Sequence, residues 1–126
     1  MNNNIKSRRI NRVDYIIEYF IVSFGTVGLF LLFPPLAVIG ILYSLIFSSN
    51  RFHDINKSGL NAGLTLIPIF GIFVIVYLMI ASGDKDTNKY GDPPEKAGKI
   101  KTLFSIMISS IFVLVLVVGI LFVIVA

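Results

Sequence analysis

The sequence predicts an all-α, polytopic helical membrane protein with four hydrophobic segments, the third interrupted at Pro68-Gly71. Three observations carry that prediction. Hydrophobic residues make up 56% of the chain and charged residues 14%, with a mean hydropathy of +0.86, which leaves too little polar surface to cover a fold in water. The apolar residues come in long runs, and the short segments between them hold nearly all the charges. The runs do not alternate as barrel strands do, and in lipid only helices and closed barrels satisfy the backbone, so their valine and isoleucine content does not argue for strands.

The basic start "MNNNIKSRRINR" carries Lys6, Arg8, Arg9 and Arg12 with no acid before Asp14. The apolar run behind it is too long for a signal peptide and lacks a small-x-small cleavage site, so a retained first helix is expected. Arg8, Arg9 and Arg12 read first as topology determinants and lipid anchors. Asn11 is the expected N-cap, with Asp14 three residues on in a variant of the capping box. Tyr15 to Phe33 then gives a span of roughly 28 Å. Glu18, the only acid inside that span, is expected to reach the near interface or to pair with Arg51 or Lys57 rather than to relay protons, because relays need several intramembrane acids.

Pro34-Pro35 ends the first helix. The second segment, Leu36 to Ser49, reaches only about 21 Å as a helix. It spans by running on toward Arg51 with the arginine snorkelling, by thinning the bilayer, or it forms an incomplete hairpin with the first helix. Each version puts the basic start and "RFHDINKSG", residues 51–59, on one side.

Two geometries fit the third segment, Leu60 to Ile80: a single kinked span of about 31 Å, or a turn at the Pro68-Gly71 hinge that sends the chain back. Lys85, Lys89, Lys96, Lys99 and Lys101, five of the eleven Lys and Arg residues, follow it. Only the turn-back keeps all eleven on one face, and the positive-inside tendency favours it, against the commoner single crossing. The fourth segment, Thr102 to Ala126, has 25 residues without a charge and spans with tilt. Residues 1–94 are thus expected to form one membrane domain and residues 95–126 a linker with an additional C-terminal transmembrane helix.

Composition also bounds the chemistry. The absence of cysteine excludes disulfides, thiolate metal sites and cysteine nucleophiles, and a single histidine, His53, cannot alone build a multi-histidine zinc or haem site. No cofactor-type glycine fingerprint appears, and neither a cofactor nor a metal is expected. The net charge of +4 lies beside apolar spans, which points to anionic lipid headgroups and not to nucleic acid.

Three polar groups stand out: "RRINRVDY" at residues 8–15, "RFHDINKSG" at 51–59 and "SGDKDTNKYGDPP" at 82–94, with "LIPIFG" between the last two. In that order they resemble the bacterial membrane family called domain of unknown function 805. The matching positions are Arg9, Arg12, Tyr15, Arg51, His53, Asp54, Ser58, Gly59, Pro68, Gly71, Asn88, Tyr90, Gly91 and Pro93. Asn50 and Phe52 depart from the family's Arg-Arg-Leu-His-Asp element, and the tryptophans usual after Ser-Gly are absent. The resemblance implies a small bacterial inner-membrane protein, multi-pass with a cytoplasmic N-terminus, and leaves its biochemical role open.

From these residues the favoured function is non-enzymatic: binding of anionic lipid headgroups, or of a protein partner or second copy of the chain, through Arg12, Arg51, His53 and Asp54. Arg51 would fork to an anion, with His53 exchanging a proton and Asp54 orienting it. The plainer reading pairs Asp54 with Arg12 or Arg51, has Asp54 cap the next helix and packs His53 at the interface. A turn-back would bring Asn88 and Tyr90 over this element as one cap. A small transporter or channel component using Glu18 is the second reading. An enzyme using His53 and Asp54, with Ser58 near in sequence, is the third, but no complete catalytic set is visible.

Overall fold

The computed structural model describes residues 8–126, so Lys6 lies outside it. Among the described residues the secondary structure is helical, with a single isolated bridge between Asn88 and Gly91. The first helix, α1, runs over Arg12–Leu32. Asn11 caps it by accepting a hydrogen bond from the Asp14 amide at 2.8 Å, which satisfies one of the first-turn donors. Phe33 is extended, a 3₁₀ turn over Pro34–Leu36 reverses the chain, and α2 follows over Ala37–Asp54. The second helix therefore runs on through Arg51 to Asp54. With its proline turn it is long and apolar enough to cross a membrane, as are α1 and the last helix, α4, over Lys99–Val125.

The third segment turns back. A 3₁₀ stretch over Gly59–Leu66 runs inward and α3, Phe70–Ile80, returns. Eight residues at about 2 Å of rise and eleven at about 1.5 Å give two arms of about 16 Å each, close to half of a ~30 Å hydrocarbon core. The pair is a re-entrant hairpin that returns the chain to the end of the bundle it left. The bend centres on Ile69, at φ 65° and ψ −58°, where the Phe70 amide donates to the Pro68 carbonyl at 2.7 Å. That is a γ-turn with positive φ, strained for a β-branched residue. Gly71 serves the hairpin in another way. A Cβ there would collide with the backbone of Thr65, so its bare backbone lets the two arms close.

Helices α1 and α2 form an antiparallel hairpin, the re-entrant pair packs mainly on α2, and α4 packs on α1 alone. Tyr15, Phe47, Phe52, Ala62 and Leu78 form the small buried core where α1, α2 and both re-entrant arms meet. The Tyr15 and Phe47 rings lie 5.4 Å apart, and the Tyr15 hydroxyl meets Ser48 Oγ at 3.3 Å. The outer faces are apolar: the most apolar window of α4 has no buried residue, and Leu31, Leu32, Phe24 and Ile69 are largely exposed. A surface of this kind belongs in lipid.

Candidate functional site

The ends of α1, α2 and α3 meet where nearly all the charges lie, and at their centre three charged side chains are buried. Asp54, in the last turn of α2, receives Arg9 Nε on Oδ1 at 3.0 Å and Arg51 Nη1 on Oδ2. The side chains of Arg9 and Arg51 are 0% exposed and that of Asp54 4%. Two cations against one carboxylate leave an excess positive charge inside the protein, and backbone carbonyls take it up. Arg51 donates to Leu78 O at 2.8 Å, to Ala81 O and to Ile10 O at 3.4 Å. Arg9 donates to Asp86 O at 2.8 Å, to Gly91 O at 3.0 Å and to Asp84 O. Leu78 and Ala81 belong to the C-terminal end of α3, whose last carbonyls have no partner within the helix and carry its negative dipole end. Arg51 thus tethers the returning arm of the re-entrant hairpin.

The loop after α3 completes the knot. The Asp84 amide donates to the Asp54 carbonyl at 2.8 Å, and Gly83 lies so close that a Cβ would overlap the Asp54 carboxylate. Asn88 donates to the His53 carbonyl at 2.9 Å, its Oδ1 accepts from the Tyr90 amide, and Asn88 and Gly91 close a turn in which Gly91 has φ 120°. This turn sets the Tyr90 ring on His53, with centroids 3.9 Å apart and planes at 15°. His53 Nδ1 meets the Arg8 carbonyl at 3.0 Å, and the Arg8 amide donates to Tyr90 O at 3.3 Å. The three polar groups "RRINR", "RFHDINKSG" and "SGDKDTNKYGDPP" therefore form one cap at one end of the bundle.

Several expectations change. Arg51 does not snorkel; it is wholly buried and its donors are turned to protein oxygens. Arg9 is no surface anchor but half of the Asp54 ion pair. Arg12 does not pair with Asp54: it is exposed and directs Nη1 to Ile80 O at 3.5 Å. Asp54 does not cap the next helix, because Ser58 does, accepting from the Leu60 amide at 3.3 Å. Among the described residues, Glu18 makes no hydrogen bond or ion pair with Arg51, Lys57 or any other group, and no hydrogen bond joins His53 to Asp54 or to Ser58. Asp14, besides meeting the Asn11 cap, pairs with Lys101 at 3.2 Å and so ties α4 to the start of α1.

Against the knot lies a polar cavity of about 560 Å³ lined by Arg12, Arg51, Asp54, Asp84, Lys85 and Lys96, with Asn11, Ser82, Gly83 and the Pro93-Pro94 pair. With Arg51 and Asp54 engaged with each other, the exposed charges facing it are Arg12, Lys85 and Lys96 against Asp84 alone. A second cavity, of about 300 Å³, lies near the re-entrant apex between α1 and α2, with Tyr19, Ser23, Thr26, Ser44, Ser48 and Thr65 among its lining residues. Glu18 lines neither. No cluster of metal-ligating side chains occurs among the described residues.

The family model described as "Protein of unknown function (DUF805)" matches residues 20–92, more than half of the chain. The chain belongs to this family. The DUF805 match takes in Arg51, His53, Asp54, Asn88 and Tyr90 together with both arms of the re-entrant hairpin, and it begins beyond Arg9 and Arg12. No curated protein and no solved structure matches the chain.

Proposed function

We propose that this DUF805 protein is a non-enzymatic, multi-pass component of a bacterial inner membrane whose cap, on the cytoplasmic face, binds the phosphate-bearing headgroups of anionic lipids. The observation that carries this reading is the cap cavity, where Arg12, Lys85 and Lys96 are exposed beside an arginine–aspartate knot that holds the loop in place. Arg51, Asp54 and Asn88 then build the site rather than contact the ligand, since their side chains are engaged with protein, and the stacked rings of His53 and Tyr90 brace it. The cytoplasmic placement rests on charge: the ten described Lys and Arg residues all lie at one end, and residues 19–50 and 102–126 carry no charge at all. A phosphate on Arg12 and two lysines at the bilayer surface gains both short-range charge–charge hydrogen bonds and attraction to an anionic leaflet.

Two measurements test this. The chain has no cysteine, so single cysteines at Lys57, Lys89 and Ala126 report sidedness directly; an impermeant thiol reagent outside intact cells should reach position 126 only. In liposome reconstitution, replacing Arg12, Lys85 and Lys96 together by Gln should remove the preference for phosphatidylglycerol over phosphatidylcholine. An unchanged preference would sink the headgroup reading.

The cavity near the re-entrant apex favours a second reading, a transport or channel component. Its hydroxyls, not Glu18, would line the path, so a flux abolished by Glu18→Gln would contradict that arrangement, and a flux lost on Thr26→Val and Ser44→Ala would support it.

A further inference from the structure

Both α3 and α4 pack on α1 but not on each other, and the gap between them is a cleft of about 440 Å³ open to the bilayer. Its floor is the α1 stripe Ile16 and Phe20, four residues apart, with the Phe20 ring set edge-on to Phe112 of α4 at 5.3 Å. Val76 and Ile80 line one wall, and the small Ser109 on the other leaves the space open. The stripe continues one turn up to Arg12, whose guanidinium lies 3.5 Å from the carbonyl of Ile80, a residue of the cleft wall. Arg12 also lines the cap cavity with Lys96. An apolar slot and a cationic pocket thus meet at one arginine.

We infer that the cleft and the cap form one site for a whole anionic phospholipid, an acyl chain in the α3–α4 cleft and the phosphate between Arg12 and Lys96. The inference rests on the headgroup reading and adds the chain to it. An acyl chain matches an apolar slot that opens sideways into lipid, and an anionic headgroup matches the exposed cations at its upper end. A second copy of this chain fits poorly, because side-by-side copies in the same orientation would bring two strongly basic ends together. A zwitterionic lipid could fill the slot but would forgo the net charge attraction at Arg12 and Lys96.

Native mass spectrometry of the full chain, released from detergent supplemented with phosphatidylglycerol or phosphatidylcholine, tests both halves. The wild type should retain phosphatidylglycerol about tenfold or more over phosphatidylcholine. Ser109→Phe, which fills the cleft from α4, should cut phosphatidylglycerol retention by a similar factor. Val76→Phe does the same from α3, and each variant is compared at unchanged helical circular dichroism. If either filled variant, folded as the wild type, retains phosphatidylglycerol undiminished, the chain site is wrong while the cap reading stands. If Arg12→Gln with Lys96→Gln leaves the lipid preference untouched, the cap reading fails and this inference fails with it.

Discussion

Replacing Asp54 by Asn should destabilise the protein by about 3–5 kcal/mol, the range for removing one partner from a buried ion pair. The substitution keeps the shape of the side chain and changes only its charge and one oxygen. Asp54 now accepts on one oxygen from Arg9 and on the other from Arg51. An asparagine has one carbonyl oxygen and one NH₂ group, so whichever way the amide is turned, one arginine donor faces another donor. The two guanidinium groups would then sit buried with no anion between them, and the carbonyls of Leu78, Ala81, Asp84, Asp86 and Gly91 are already in use. For a chain of this length such a loss corresponds to a fall in melting temperature on the order of 10–20 °C in detergent, followed by circular dichroism. Arg9→Gln in the Asp54→Asn background should cost less than the sum of the two single changes by more than about 1.5 kcal/mol, because one buried charge is removed with its partner. A single-variant loss below about 1 kcal/mol, or strict additivity, would show that the carbonyls alone hold the arginines and that the ion pair does not anchor the cap.

Three further substitutions probe separate features. Gly83→Ala pushes a methyl group into a carboxylate held on both sides and should cost about 1–3 kcal/mol, whereas Ser82→Ala next to it should be near neutral in the same melts. Ile69→Gly releases the positive-φ strain of the hinge, and with the Ile69 side chain 75% exposed little packing is lost; after the backbone entropy of glycine a net gain of about 1 kcal/mol is expected, and a loss would mean that the turn is not strained. Tyr90→Ala should lose about 0.5–1.5 kcal/mol with the His53 stack, while Tyr90→Phe keeps it and should melt like the wild type.

The sequence made the lipid-facing helices plain because their signal is compositional: a run without charge is visible without knowing what it packs against. The path of the third segment was only half legible: charge favoured the turn-back, which alone gathers every lysine and arginine at one end, while the commoner behaviour of a proline-interrupted span favoured a single crossing, and the two nearly balanced. What could not be read was which arginine goes inside. Arg8, Arg9 and Arg12 look alike in the string, and Arg9 is buried because it precedes the Asn11 cap in non-helical chain and reaches across to Asp54, 45 residues away, a separation with no local periodicity. One signal was present. Asp54 sits in the last turn of α2, where a carboxylate opposes the helix dipole, and an acid in that place asks for a cation to offset it. Ile69 was hidden for the opposite reason: local preference assigns positive φ to the nearby Gly71, and the closing of the two arms needed that glycine for space instead.

The knot and the short third helix depend on each other. At about 16 Å, α3 is about half as long as a hydrocarbon core is thick, and its C-terminal end is the one that meets the polar cap. Its N-terminal end is closed by the γ-turn and by the Gly71 amide donating to Ile67 O at 2.7 Å. The other end has orphan carbonyls, and Arg51 takes two of the oxygens there, Leu78 and Ala81, while Arg12 approaches a third, Ile80. Arg51 is the buried charge that engages this charge-free helix of eleven residues directly, while Arg9 and the Asp84 amide hold the loop beyond it. The Arg51 guanidinium joins α2, α3 and, through Ile10, the lead-in to α1. The histidine-bearing motif therefore holds the re-entrant hairpin through Arg51 and Asp54, its two buried charges.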